Sequence, residues 1–388
     1  DGQMRVAGHR EVSRVGRPNV QAGRVQTRRV AQRRTRRPGK GARHGPVVNG
    51  HLVVTVGPTT GEVPCPGHTA ERVHGQAEGQ SLRLTVHKLS GLTWTRHFPR
   101  VWAHRDHEMT DDDWLVAAAL AMPARAQLSH LSRLQALGLD IGEVKPVHFT
   151  VASDLHLDID GVFLHRTGVL PPLDAVGVTP AAAFIQYCAT ARMIDAIKVG
   201  DWLLHHRHMT VVEVAETSGK DSWRLGARQA RRVLPHLSEA SRSLKESEVR
   251  ALLVFAGLPA PEVNVSLVIA GERIGIVDLL IRSAMLALEY EGRQHAESIS
   301  QFNRDIHRYA AFRRHRVEYL QITNERLDKP KGMVRRVYAR LVERGHDGPE
   351  PVFADRWSAL FEPIRTKEVR RSPITRLEGR PSHRAAAE

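Results

Sequence analysis

Three acids lie close together in an apolar stretch of the chain and could bind a metal ion. Asp278 interrupts the apolar run Ile274–Ile281, and Glu289 and Glu291 end the run that starts at Met285. Both runs have the length and composition of β-strands. Residues two apart in a strand share a face, so Glu289 and Glu291 point the same way. If the two strands pair as a hairpin, Asp278 joins them on that face.

Clustered carboxylates carry a desolvation and repulsion cost that a divalent cation relieves. Mg²⁺ (or Mn²⁺) prefers a few carboxylates together with water and phosphate oxygens. A helix is predicted over Ile299–Arg314, and residues 292–316 hold six Arg against two acids. Metal ligands followed by a cationic helix suit phosphodiester hydrolysis. The alternative interpretation of an isolated Glu-x-Glu pair is that both acids are solvated at a strand end.

This block resembles the very-short-patch-repair-like branch of the PD-(D/E)XK nuclease superfamily. The matching motifs are an ES-x-x-R helix, an acid in a strand, an E-x-E-G-x-x-H segment and a helix that starts with Asn. They fall at Glu246, Ser247 and Arg250, at Asp278, at Glu289–Gly292 with His295, and at Asn303–Asp305 with Arg308. The match covers about Leu244 to Leu341. The superfamily's lysine after the second acid is replaced here by Glu291, and the resembling branch also tends to place an acid there.

The resemblance implies a role for each of these residues. Asp278 and Glu289 would be the metal ligands, with Glu291 a third acid and the Tyr290 carbonyl a further ligand. Glu246 and His295 would orient or activate water. Arg293, Arg304 and Arg308 would hold DNA phosphates. For Glu246 the alternative is a simple i,i+4 ion pair with Arg250 on the surface of the leading helix.

The net charge of +15 belongs to the ends of the chain. The first 50 residues hold 13 Lys and Arg against two acids, residues 364–388 hold seven against three, and the remainder is balanced with 37 of each sign. Basicity is therefore no argument that the folded body binds nucleic acid. Residues 1–75 and 364–388 are predicted to be disordered basic tails. A solvated tail and a non-specific DNA-binding arm both remain open for the first segment.

The region before the nuclease-like block resembles AbiEi-type antitoxins. The segment Trp94–His104 resembles the β-wing of a winged helix, and Thr110 with three acids predicts a helix that ends before Pro123. Residues 126–139 predict a second helix, and together the two helices carry the resemblance. His130 is interpreted as a packed or capping histidine. Strands are predicted at Val147–Asp154 and from Gly161.

Three further helices are predicted between the strands and the nuclease-like block, at Thr179–Ala189, Met193–His205 and Arg224–Leu237. The tract His205–His208 has no carboxylate or Cys partner, so a solvated helix end is favoured over a metal site. The third helix is basic. Packing between the two modules is the favoured interpretation of it, and DNA contact is the alternative.

The sequence predicts an α/β protein with tails at 1–75 and 364–388, an AbiEi-like α+β module at 76–240 and a restriction-endonuclease-like domain at 241–345. That domain would have a mixed central sheet flanked by helices. The predicted function is a Mg²⁺-dependent DNA endonuclease in repair or in defence against phages and plasmids. The alternative is a non-catalytic, antitoxin-like DNA-binding regulator. DNA, a toxin or a second copy are the expected partners, without a membrane, and two distant cysteines fit the reducing cytoplasm.

Overall fold

The computed structural model describes the backbone of residues 53–55 and the complete residues 91–290 and 308–364. Most of both predicted tails lies outside these ranges, as do four predicted site residues: Glu291, Arg293, His295 and Arg304. Within these ranges the chain has the predicted mixture of helices and sheets. No helix there is both long and apolar enough to cross a membrane.

The first sheet has the strand order β1-β3-β2 and is antiparallel. Its strands are Val53–Thr55 (β1), Trp94–Phe98 (β2) and Val101–His104 (β3). Three residues of the predicted N-terminal tail are thus a strand, in agreement with the β-propensity of Val-Val-Thr. The turn between β2 and β3 holds Arg100 at a φ of 64°. This φ lies in the left-handed region, which glycine adopts without steric cost and other residues rarely adopt.

The helix Asp111–Ala121 (α1) begins at the predicted capping residue. The Thr110 hydroxyl accepts from the backbone N–H of Asp113 at 3.2 Å. The Asp113 carboxylate accepts from the backbone N–H of Thr110 at 2.9 Å. This reciprocal capping box satisfies two donors that a helix start leaves open.

The second sheet corrects one prediction. Its strands are Gln127–Leu128 (β4), Val147–Val151 (β5) and Val162–Arg166 (β6), in the order β4-β5-β6. The helix predicted over 126–139 is wrong at its start, because Gln127 and Leu128 pair antiparallel with β5. The helix is reduced to His130–Gln135 (α2). Strand pairing with a distant segment therefore overrides the local helical pattern.

Five helices follow: Pro180–Cys188 (α3), Met193–His205 (α4), Val211–Lys220 (α5), Ala227–Val233 (α6) and Leu244–Phe255 (α7). The helix α4 has the predicted bounds, whereas α5 was not predicted. Its signal is present in the sequence, since Thr210 and Glu213 form a capping box at its start.

The third sheet carries the predicted acids. Its strands are Glu262–Ile269 (β7), Glu272–Ile281 (β8), Leu286–Tyr290 (β9) and Glu318–Ile322 (β10), in the order β10-β9-β8-β7. The strands β9 and β10 are parallel and the other two pairs are antiparallel. The helices around them are residues 308–314 (α8), Asn324–Leu327 (α9), Pro330–Glu343 (α10) and Asp355–Ser358 (α11).

Each face of the third sheet is covered by a different core. Leu279 and Leu288 pack in the larger core, which also contains residues of α7 and α10. Leu280 and Ala287 pack in a smaller core with Phe312 of α8. Opposite faces of a strand alternate with a period of two, so Leu279 and Leu288 mark one face of the β8–β9 pair and Leu280 and Ala287 mark the other.

The larger core joins the two predicted modules. It contains Phe184 and Leu203 from the first and Leu252 and Leu288 from the second. The predicted boundary at residue 240 therefore lies within one continuous core.

A buried ion pair lies in this joint. The Arg250 Nη2 donates to the Asp201 carboxylate at 2.7 Å, and the same nitrogen donates to the His236 carbonyl at 2.8 Å. Asp201 is fully buried. Burial raises its pKa, and Arg250 opposes that effect. The ion pair fastens α4 to α7.

Candidate active site

The strands β8 and β9 place Asp278 and Glu289 next to each other. Their antiparallel register pairs Leu279 with Leu288 and Leu280 with Ala287. One further step of the same register sets Asp278 opposite Glu289, on the face covered by α8. Asp278 is half-buried and Glu289 is 5% exposed. The sequence-based expectation that these two acids share a face agrees with this register.

Asp278 is oriented by the backbone of the neighbouring strand. Its Oδ2 accepts a hydrogen bond from the Tyr290 N–H at 3.1 Å, beyond the last paired residues of β8 and β9. The Tyr290 side chain points to the other face, where its hydroxyl donates to the Asn324 Oδ1 at 2.8 Å. The backbone around the second acid is therefore tied both to Asp278 and to α9.

The strands β7 and β8 change faces at this point. Val277 packs in the core with Phe312, but Leu279, two residues on, packs in the larger core. Opposite them, Asn264 of β7 has a φ of 50°, which is unusual for a residue other than glycine. Asp278 therefore lies between a residue that packs in the smaller core and one that packs in the larger core. The Asp278 side chain is only half-buried at this point, so neither core encloses it fully.

Arg308 provides the charge partner of the second acid. Its Nη2 donates to the Glu289 Oε2 in a close ion pair, and its Nη1 donates to the Ile276 carbonyl at 3.4 Å. The side chains of Arg308 and Glu289 are 25% and 6% exposed. The resemblance assigned Arg308 to a DNA phosphate, whereas the structure places its guanidinium on Glu289. A carboxylate buried to this degree needs a cation beside it to remain ionised. Asp278, Glu289 and Arg308 are called the acid site below.

Glu246 lies at the start of α7 in a hydrogen-bonded cap. One carboxylate oxygen accepts from the Ser243 hydroxyl at 2.9 Å. The other accepts from the Arg242 N–H at 2.9 Å and the Asn264 Nδ2 at 2.6 Å. Since Arg250 turns to Asp201, the alternative surface pair between Glu246 and Arg250 is wrong. Asn264 lies in β7 opposite Asp278, because the strand pairs on either side join Val263 to Leu279 and Val265 to Val277. Its hydrogen bond therefore links Glu246 to β7 next to Asp278.

Gln321 was missed in the sequence and lies on the same row. It is the parallel partner of Glu289 in β10, and its half-buried side chain shares the face of that acid. Its signal was a polar residue between two buried apolar ones, Leu320 and Ile322. Asp278, Glu289 and Gln321 therefore follow each other across three adjacent strands.

The oxygen donors of the acid site suit a hard divalent cation in kind. Two carboxylates of the predicted set are in place in the structure, and the predicted third acid, Glu291, is outside the described residues. Within residues 91–290 and 308–364, no group of three or more His, Cys, Asp or Glu side chains is arranged to hold a metal ion. A cation at the acid site would thus depend on Asp278 and Glu289 together with groups beyond those ranges.

A second group of titratable side chains lies beside β5 and β6. The rings of His130 and His165 stack with centroids 3.6 Å apart, and the His148 Nδ1 lies 2.9 Å from the His165 Nε2. These three residues are called the histidine cluster. Burial and the neighbouring rings lower the pKa of His130 to about 2 and that of His165 to about 4. His130 is a packed residue, in agreement with its interpretation from the sequence.

The tract at the end of α4 is occupied by packing and backbone contacts. His206 and His208 stack against Trp202, with ring centroids 4.3 and 5.4 Å from the indole. The Nδ1 of His205 lies 3.1 Å from the Glu239 carbonyl. These contacts agree with the interpretation of the tract as a helix end.

Comparison of the chain with protein-family models, curated proteins and solved structures gives no significant match.

Proposed function

We propose that the chain hydrolyses DNA phosphodiesters at the acid site with a divalent cation, Mg²⁺ or Mn²⁺. The proposal includes a very-short-patch-repair-like fold for the region from Leu244 to Leu341 and an AbiEi-like fold for the region before it. One observation carries it: Asp278 and Glu289 are opposite each other on neighbouring strands, beside an arginine. The mixed four-stranded sheet between helices is compatible with the proposed fold.

The charges of the acid site favour a dication and a phosphodiester together. Asp278 and Glu289 contribute two negative charges and Arg308 one positive charge, so the site carries a net charge of about −1 when all three are ionised. A dication reverses that sign, and one phosphodiester then restores neutrality. Without a cation, the same acids repel the substrate phosphate.

Asp278 and Glu289 would hold the cation, and the Tyr290 N–H keeps the Asp278 carboxylate directed towards the strand end. A bound cation supplies charge stabilisation of the phosphate and lowers the pKa of its water. Arg308 pairs with Glu289 and could also contact a phosphate bound next to that acid. Gln321 offers an amide on the same face, where it can donate to a phosphate oxygen or orient water. Glu291 and His295 keep their proposed roles as third acid and water-activating group.

A non-catalytic DNA-binding regulator is the second candidate. The ion pair between Glu289 and Arg308 favours it, because Glu289 already has a cation partner in the structure. In that case the acid site stabilises the fold, and DNA binding does not depend on a metal.

Plasmid nicking separates the two candidates. The wild-type chain, Asp278→Asn and the control Glu272→Gln are incubated with supercoiled DNA and Mg²⁺ or Mn²⁺, with EDTA as the metal-free condition. Glu272 is a partly exposed acid at the start of the same strand, β8, and its change to Gln removes the same charge. We expect nicking by wild type and Glu272→Gln and a loss of at least about 100-fold in Asp278→Asn. Equal rates for all three proteins would remove the proposed site.

The regulator is tested by DNA affinity in the same variants. If wild type does not nick DNA, and its DNA affinity is the same in EDTA and Mg²⁺ and in Glu289→Gln, the regulator is supported. Thermal stabilisation by Mn²⁺ that disappears in Glu289→Gln supports the enzyme instead.

A further inference from the structure

The connection between α5 and α6 exposes large apolar side chains beside several cations. Trp223 is 62% exposed and Leu225 is 84% exposed. Lys220, at the end of α5, is exposed as well. A tryptophan on the surface is unusual without a partner, because burying its ring contributes a large hydrophobic free energy.

The helix α6 presents its arginines on one side only. Ala227, Ala230 and Val233 are fully buried. Arg228, Arg231 and Arg232 are exposed, and their i, i+3 and i+4 spacing places them together on the opposite side. Residues 222–238 contain four Arg and no acid. Lys220, Trp223 and these three arginines are called the Trp223 surface.

The position of Trp223 is defined by its neighbours. The Arg224 guanidinium lies 4.4 Å from the indole centroid. The same guanidinium donates to the Val169 and Leu170 carbonyls at 2.8 and 3.0 Å, and its Nε donates to the Asp221 carboxylate at 2.6 Å. Gly226 follows at a φ of 90°, and a Cβ there would lie 1.8 Å from the Ile185 carbonyl oxygen. The connection is therefore held against α3, and the ring is presented to solvent by a fixed backbone.

We propose that the Trp223 surface binds single-stranded nucleic acid. A flat indole face stacks on an unpaired base, and cations spaced along one side of a helix can follow the phosphates. Duplex DNA hides its base faces, so it cannot use the indole in this way. Residues 222–238 hold four Arg and no acid, and Arg228 and Arg231 are exposed on one side of α6, so the surface complements a polyanion. The proposal does not depend on cleavage at the acid site, although a strand bound here could be a substrate.

Fluorescence anisotropy with a labelled 20-nucleotide oligo-dT tests the stacking. The full chain carries Asp278→Ala and is measured in EDTA, so no cleavage interferes and the result does not depend on nuclease activity. We expect Trp223→Ala to weaken binding about 10-fold and Trp223→Phe to stay within about threefold of the parent, since phenylalanine keeps a stacking face. An oligo-U of the same length, bound with the same loss, would extend the conclusion to RNA. Equal affinity of the alanine variant and the parent would refute the proposal.

The salt dependence tests the phosphate contacts. Arg228→Gln with Arg231→Gln should lower the slope of log K against log salt by about 1.4, or about 0.7 for each single-strand phosphate contact. The matched control changes two exposed arginines elsewhere, Arg105 and Arg125, to Gln. An equal change in slope for both double variants would mean that only total charge matters, which contradicts the proposal.

The same anisotropy measurement is made with a blunt 20-base-pair duplex. Its binding should be insensitive to Trp223→Ala, and an equal loss for duplex and single strand would contradict stacking on an unpaired base. Circular dichroism of Trp223→Ala should match the parent, because the ring is exposed and packs in no core.

Discussion

The acid site and the histidine cluster both place titratable side chains on neighbouring strands. The acid site pairs a buried carboxylate with a cation, whereas the histidine cluster consists of rings that stay uncharged. In the acid site, Glu289 is buried together with a cation, Arg308. In the histidine cluster, burial lowers the pKa of all three rings, so the group stays neutral at neutral pH. A charge that is retained when buried can act on a phosphate or a metal ion, whereas neutral stacked rings contribute mainly packing.

Removal of the arginine should have the largest effect on stability. Arg308→Met removes the guanidinium that donates to the buried Glu289 carboxylate, so we expect the free energy of unfolding to fall by about 3 kcal/mol. This is the lower end for a buried pair, since a quarter of the Arg308 side chain is exposed. The measurement is urea denaturation at pH 7. Combination with Glu289→Leu should recover most of the loss.

The matched control for that variant is Arg314→Met, which breaks an exposed pair with Glu272. It should cost less than about 1 kcal/mol. Equal losses for Arg308→Met and Arg314→Met would show that Glu289 is not held by a buried charge interaction.

The histidine cluster should make the free energy of unfolding depend on pH. The unfolded chain takes up protons on histidine below about pH 6.5, whereas folded His165 does so only near pH 4 and His130 near pH 2. Stability therefore falls as the pH drops from 6.5 towards 4, by up to about 1.4 kcal/mol per pH unit for each histidine. His165→Phe should reduce that slope. The difference between wild type and variant, measured by urea denaturation from pH 4 to 7.5, cancels groups outside the cluster. Parallel stability curves would contradict the lowered pKa of His165.

Substitution of Gln321 tests whether the third residue of the row Asp278, Glu289 and Gln321 contributes to nicking. Gln321→Leu should lower the nicking rate about 10-fold, because it removes a donor next to Glu289. Its unfolding free energy should stay within about 0.5 kcal/mol, as the side chain is only half-buried. Gln321→Asn, which keeps the amide on a shorter stem, should recover part of the rate. A wild-type rate in Gln321→Leu would exclude this residue from the site.

Glu246→Gln should have the smallest effect on the nicking rate. Its carboxylate accepts from the Arg242 N–H, the Ser243 hydroxyl and the Asn264 amide, so Glu246→Gln should cost about 1 kcal/mol of stability. Nicking should change by less than about threefold. A loss of 100-fold or more at unchanged stability would instead support the water-orienting role that the resemblance implies.

Much of the third sheet could be predicted locally. The apolar runs of β8 and β9 have the length of strands, and their turn makes a hairpin the simplest pairing. The opposition of Asp278 and Glu289 follows from that pairing. The failures occurred where distant segments decide the structure. Gln127 and Leu128 fit a helical pattern but pair with β5. Arg250 forms its ion pair with Asp201 rather than with Glu246.

The sequence by itself determined the strands that carry the acids, the helix start at Thr110, and the concentration of basic charge at the chain ends. These features depend on side-chain periodicity, on capping groups and on composition, all of which act over a few residues. Only the tertiary structure decided that Arg308 neutralises Glu289, that Gln321 joins the row of acids, and that three histidines from separate elements stack. Each of these contacts joins residues more than 15 positions apart, and burial, rather than local pattern, selects the partner.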